Sequence, residues 1–307
     1  MIRGALSAVA RNESLGGLIS RAPIARDVVK RVVGGETVES ALGVAADLAD
    51  RGYVVSLERA APAVTTDAGA AEVTEEYRTL VDAVSASGLA QVIEVTVFAE
   101  ALGLLPDADP AVAGGRLADL AHHAAGRGVA LMVGTGPVED TATTLAMVDD
   151  LHAGGLPVGI TLPAAMRRTE AECVRLADRR VRLIKGSRKG DPALSLGQPY
   201  EIDKAYVRCA KALLKGSGDA SFATHDARLI GILETLVGRY GRPRHSYEFA
   251  LFMGRQEGAQ ERLLAAGEQV RVYVPYGPDW FERLVGGLAE EPGTVTAALR
   301  SLLPGAS

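Results

Sequence analysis

Two short runs in this chain of 307 residues carry side chains of the right type and spacing for chemistry. The first is Val181-Arg-Leu-Ile-Lys-Gly-Ser187, which places two cations three positions apart in an apolar, strand-like stretch. Strand alternation sends Arg182 and Lys185 to opposite faces, unless a bend at the strand end turns both toward a ligand. In the regular case Arg182 pairs with a core carboxylate and Lys185 reaches solvent. A lysine there, its neutral amine favoured by Arg182 and Arg188, would also suit Schiff-base chemistry on a carbonyl substrate, as in a lyase or aldolase. The second run is Thr224-His225-Asp226. Asp226 has the position of a helix N-cap, its carboxylate accepting a free amide of the first turn. His225, one of five histidines, is read as a ligand contact rather than a packing residue.

Other reactive types are less suggestive. Cys173 and Cys209 fall in helical stretches and read as packing thiols, not as a disulfide or metal pair. His122 and His123 are neighbours on a helix, so they face different directions and lack metal-ligand spacing. No His/Cys cluster suggests zinc or iron. No Gly-x-Ser-x-Gly elbow supports a serine hydrolase.

These residues sit at the ends of strand-like runs that alternate with helical patterns. The runs are Tyr53–Glu58, Val92–Phe98, Val129–Val133, Val158–Leu162, Val181–Lys185, Ala220–Thr224, Ser246–Phe249 and Val270–Val274. Helical patterns cover Ala71–Val84, Arg116–Ala125, Thr141–His152, Tyr200–Leu214, Ala227–Arg239 and Glu257–Ala266. This alternation predicts a single α/β domain over residues 1–307, a (βα)8 TIM-like barrel over 51–307 preceded by helices in 1–50. An open, doubly wound sheet is the alternative, weakened by the lack of a Gly-x-Gly-x-x-Gly turn after the first strand. In such a barrel the chemistry lies where strands end and helices begin. Gly186–Gln198 is a polar loop at that end, suited to a mobile role at the site.

Composition narrows the partners. Hydrophobic residues make up 48% and charged residues 23%, enough for a sizeable core in a soluble protein. A net charge of −5 gives no basic footprint for nucleic acid or an anionic membrane. No apolar run reaches the length of a membrane span, so no stable insertion is expected. Met1–Ala10 begins like a signal peptide, but Arg11, Asn12 and Glu13 interrupt it early. It reads as an amphipathic helix of a cytoplasmic protein.

Several motifs in one order resemble the monofunctional bacterial proline dehydrogenases, flavoenzymes that oxidise proline to pyrroline-5-carboxylate. They are Gly35-Glu-Thr-Val-Glu-Ser-Ala-Leu42, Thr65-Thr-Asp67, Arg167-Arg-Thr-Glu-Ala-Glu-Cys173, Val181-Arg-Leu-Ile-Lys-Gly186, Tyr206-Val-Arg-Cys209, Ala223-Thr-His-Asp226, Tyr247-Glu-Phe249 and Tyr273-Val-Pro-Tyr-Gly277. The resemblance implies a distorted barrel of the proline dehydrogenase type with FAD at its mouth and a small-molecule substrate. It also implies an electron acceptor such as a membrane quinone. It assigns Arg182 to the reactive flavin nitrogen and Lys185 and Gly186 to the segment along the cofactor. Thr224 and His225 would lie near the adenine end, and Glu290 matches a glutamate of the final helix.

The departures from the family pattern gather at the substrate. Phe98 stands where the family has a lysine, and Met132-Val-Gly-Thr135 replaces an acidic strand end. Pro163 and Ala250 stand at glutamine positions, Arg283 at a tyrosine, and Gly286-Gly287 at the arginine pair that grips the carboxylate. Two lost charge-assisted bonds, each on the order of 1.5–3 kcal/mol, would weaken proline binding severely. The expectation is therefore an FAD-dependent oxidoreductase acting on an amino-acid-like or cyclic amine or imine substrate other than free L-proline. Arg182 and Lys185 are its candidate catalytic residues, and Arg283, Arg188 and Phe98 its candidate substrate contacts. Two alternatives stay open: a flavin-free barrel using Lys185 for non-redox chemistry, and a non-catalytic relative that binds a ligand or protein partner. The sequence leaves the oligomeric state open.

Overall fold

The computed structural model describes residues 32–60, 64–186 and 191–278. Within them eight parallel strands close into a barrel, neighbours in sequence being neighbours in space. The strands are β1 (Val54–Arg59), β2 (Ile93–Phe98), β3 (Ala130–Gly134), β4 (Gly159–Pro163), β5 (Val181–Ile184), β6 (Ala220–Ala223), β7 (Tyr247–Phe252) and β8 (Val270–Tyr276). Helix α1 (Val38–Asp50) precedes them. Helices α2 (Asp67–Ala86), α3 (Pro110–Gly126), α4 (Thr141–Ala153), α5 (Thr169–Arg175), α6 (Pro199–Lys215), α7 (Ala227–Arg239) and α8 (Glu257–Ala265) follow β1 to β7 in turn. The barrel expected from the sequence is the one found, with every strand in its place. Within the region expected to hold helices before the barrel lies α1, started by a capping box between Thr37 and Ser40. The helix read at Met1–Ala10 lies outside the described residues.

The strands alternate strictly, and the two faces differ in chemistry. Outward positions such as Val55, Leu57, Val95, Val97, Ile160, Leu183, Phe222 and Val272 are apolar and buried against the helices. That shell is the hydrophobic core. Helix α1 lies against β1 and β8, covering the seam where the barrel closes. The backbone just before it is stitched to the same seam: Gly34 N–H donates to Pro275 O at 2.8 Å, and Gly277 N–H to Gly35 O at 3.0 Å.

Inward positions are largely polar. Ser56, Glu58, Glu94, Thr96, Thr161, Arg182, Ser221, Glu248 and Arg271 are all buried. At the floor of the lumen, Arg180 Nη2 meets Glu94 Oε2 at 2.6 Å and Glu248 Oε1 at 3.1 Å. Arg271 Nε meets Glu248 Oε1 at 2.7 Å and Glu94 Oε1 at 3.8 Å. Two arginines and two glutamates thus alternate in a ring. Burial opposes the charge on Glu248, but Arg271, Arg180 and Arg182 outweigh it and hold its carboxyl well below the usual carboxylate range.

This ring is expected to be a strong determinant of stability. Glu248→Gln strands part of the positive charge and is predicted to cost about 3–5 kcal/mol in urea denaturation. A carboxyl whose folded pKa is depressed stabilises the fold above its unfolded pKa and loses that contribution as pH falls. The variant's stability should therefore fall less than the wild type's on acidification from about pH 7 to about pH 3.

Candidate functional site

Above the floor of the lumen, toward the strand ends, stands Arg182. Arg182 is inward-facing on β5 and almost wholly buried. Its Nη2 donates to Glu94 Oε1 in a short charged contact, and to Ser56 Oγ at 3.4 Å. Its Nη1 donates to Thr96 Oγ1 at 3.2 Å. Ser56 Oγ in turn bonds Glu94 and Thr96, so the hydroxyls brace the ion pair. Burial and the neighbouring Arg271 push Arg182 down to about 10, which leaves it cationic at neutral pH. Its Nε has no hydrogen-bond partner, nor has Ser221 Oγ on the neighbouring strand.

An aromatic rail crosses the mouth from Arg182. The Arg182 guanidinium carbon lies 5.5 Å from the centre of the Tyr273 ring, a cation–π contact. Tyr273 meets Phe252 edge-on at 4.8 Å, and Phe252 stacks on His225 at 5.5 Å. The Tyr273 hydroxyl donates to Glu58 Oε2. His225 Nε2 accepts the Phe252 backbone N–H at 3.0 Å. Burial and Arg255 push His225 down to about 3, so its imidazole is neutral near pH 7. His225 therefore ties two strand ends together with one ring nitrogen. Thr224 Oγ1 accepts the Asp226 N–H at 3.2 Å, and Asp226 caps α7 through Arg228 N and Leu229 N, the N-cap role read from the sequence.

Lys185 faces the other way. Its Nζ meets Asp203 Oδ1 of α6 at 2.7 Å and Asp226 Oδ2 at 3.7 Å, on the helix side of the rim. Alternation holds at this strand end, and Arg182 and Lys185 do not converge. Gly186, directly after, has φ +81°, and a Cβ there would come within 2.5 Å of Pro163 Cβ. Only glycine passes this crossing without strain. Phe98 closes the mouth from β2, and a Cβ on Gly134 would collide with its ring. Arg188, Arg283, Gly286, Gly287 and Glu290 lie outside the described residues.

The structure brings Arg182, Phe98, Thr224 and His225 to one end of the barrel and sets Lys185 on its outer rim. Sequence reasoning missed Glu94, Ser56, Thr96, Arg180, Arg271 and Asp203. The signal was present for most of them: a polar residue at every second position of otherwise apolar strands.

Comparison with known proteins gives the site a context. A family model described as proline dehydrogenase matches residues 188–280. Proline dehydrogenase 1 of Bacillus subtilis (strain 168) is 25% identical over 276 residues, covering 89% of this chain and 90% of the relative. Proline dehydrogenase of Deinococcus radiodurans is 24% identical over 291 residues, covering 91% of each. The chain is thus similar to proline dehydrogenases along about nine-tenths of its length. It is an oxidoreductase of that type, in a family that generally depends on FAD. Among solved structures, proline utilization A of Bdellovibrio bacteriovorus, inactivated by N-propargylglycine, superposes with a TM-score of 0.81 at 17% identity over 95% of this chain. A Bradyrhizobium japonicum proline utilization A variant gives 0.74 at 20% identity over 92% of it. The chain spans only about a third of those proteins, 34% and 33%, and the likeness supports the fold. Among the described residues no helix is long and apolar enough to cross a membrane.

The residues present fit a flavin. A buried cationic donor without an acceptor, Arg182 Nε, is the kind of group that an electron-rich heteroatom in the lumen would satisfy. The flanking rings of Tyr273, Phe252 and Phe98 offer apolar walls for a flat group.

The packing of Phe98 on Gly134 makes a separable prediction. Gly134→Ala should destabilise the fold by about 1–3 kcal/mol through overpacking. Adding Phe98→Ala should remove most of that penalty. A double-mutant cycle by thermal or urea unfolding measures the coupling, and additive effects would show that the two side chains do not meet.

Proposed function

We propose that this chain is an FAD-dependent oxidoreductase whose substrate is an amine or imine, amino-acid-like or cyclic, other than free L-proline. The observation that carries this reading is the state of the two cations on β5 and its rim. Arg182 has its terminal nitrogens on Glu94, Thr96 and Ser56, and Lys185 is shared by Asp203 and Asp226. Neither stands ready to grip a substrate carboxylate. Phe98 adds an apolar ring where the family resemblance implies a lysine.

A bound flavin would supply the electron sink, taking hydride from a carbon next to nitrogen. The protein's own share is orientation and electrostatics. Arg182 would hold the cofactor through its unsatisfied Nε, its charge fixed in place by the floor of the lumen. Thr224 and His225 would line the cofactor further along the rim. Phe98, Phe252 and Tyr273 would exclude water and favour an apolar substrate body. Arg283 and Arg188 would anchor a substrate anion placed differently from that of proline. Lys185 gives little support to Schiff-base chemistry, because its amine is engaged by Asp203 and Asp226 on the helix side of the rim.

Two measurements test the reading. The purified chain reconstituted with FAD should show a flavin absorption spectrum; a colourless protein that takes up no FAD removes the proposal. Dye-reduction assays should then compare L-proline with L-prolinamide, pyrrolidine and N-alkyl amino acids. The best amine is expected to exceed L-proline in kcat/KM by at least about 100-fold, the order set by one to two lost charge-assisted bonds. L-proline as the best substrate would overturn the substrate assignment.

A further inference from the structure

The knot around Arg182 has an odd charge count. Arg180, Arg182 and Arg271 are joined to only two carboxylates, Glu94 and Glu248, through five ion pairs. Glu94 is the shared member, meeting all three guanidiniums. It is also the carboxylate that directly holds Arg182, helped by the neutral hydroxyls of Ser56 and Thr96. Glu58, the next carboxylate upward, accepts from the Tyr273 hydroxyl. Glu58 is the third buried carboxylate acting on Arg182, but it stands outside these five ion pairs, and one donor, Arg182 Nε, is left with no hydrogen-bond partner.

Resting on the flavin reading above, we propose that Glu94 is the positioning residue of the site. It draws the terminal nitrogens of Arg182 toward the floor and leaves Nε as the donor for the cofactor. It also cancels part of the positive charge that the cofactor meets. Both effects act through Arg182. Reduced flavin is more electron-rich than oxidised flavin, so a nearby positive charge favours reduction. A carboxylate that tempers this charge sets the potential lower than the bare arginine would. Glu94, Arg182, Thr96 and Ser56 are all buried, so water does little to screen the effect.

The test is the flavin midpoint potential of the reconstituted holoenzyme, measured by dye equilibration for wild type and Glu94→Gln. Glutamine keeps the shape and removes the charge. The variant is expected to bind FAD and to shift the two-electron reduction equilibrium at least tenfold toward the reduced form, about 30 mV to the positive. Glu94→Asp keeps the charge but shortens its reach, and should shift the equilibrium the same way by a smaller factor. If Glu94→Gln fails to fold or to take up FAD, the Asp variant decides, with at least a threefold shift expected. An unchanged potential, a shift to the negative, or failure of both variants to hold FAD would overturn the proposal and leave Glu94 as a structural ion-pair partner. A wild-type protein that takes up no FAD would instead defeat the flavin reading itself.

Discussion

The ion pairing inside the barrel is the constraint from which the rest of the site follows. Parallel barrels commonly fill their lumen with branched apolar side chains. This one places three arginines and two glutamates there, each ion costing several kcal/mol to desolvate unless it is paired. Reciprocity meets most of that cost, since every carboxylate in the knot touches at least two guanidiniums. A ring of this kind has few alternative arrangements, because moving one member leaves another buried charge alone. Arg182 is consequently held in place before any ligand arrives, the preorganisation that electrostatic catalysis requires.

The same logic links the departures from the family pattern. Phe98 and Gly134 are neighbours across β2 and β3, and the ring occupies the space that a side chain at 134 would need. The aromatic ring at 98 and the glycine at 134 are therefore sterically linked, each requiring the other. Neither residue carries a charge, so this part of the mouth is apolar. Lys185 gives a parallel case at the rim, where the carboxylates of Asp203 and Asp226 absorb its charge within the protein.

The fold was legible because its signal is local and repeated. Eight apolar runs of strand length, each followed by a helical pattern, specify a barrel almost without tertiary information. The reading that Arg182 pairs with a core carboxylate was also legible, from the cost of burying a lone guanidinium. The partner was not, because Glu94 lies 88 residues earlier and only barrel closure brings β2 and β5 across the same lumen. His225 shows a different limit. Its position at a strand end suggested a ligand contact, but nothing local predicts that its Nε2 accepts the Phe252 N–H 27 residues later. Lys185 was ambiguous for a third reason. Alternation depends on whether the strand bends at its end, and here it does not.

Closure of the barrel also separates scaffold from site. Helix α1 and the Gly34–Gly35 segment cover the β8–β1 seam, using residues that come before the first strand. Among the described residues, that seam is sealed from the segment that precedes β1. Among the described residues, the outward faces of the strands form one continuous apolar shell. A substitution that keeps this shell and the charged floor can leave the barrel intact while the groups above Arg182 change. Phe98 and Gly134 stand at that mouth, apart from the charged floor. The stability of the frame, and the reach of chemistry built upon it, thus depend on different sets of side chains that meet at Arg182.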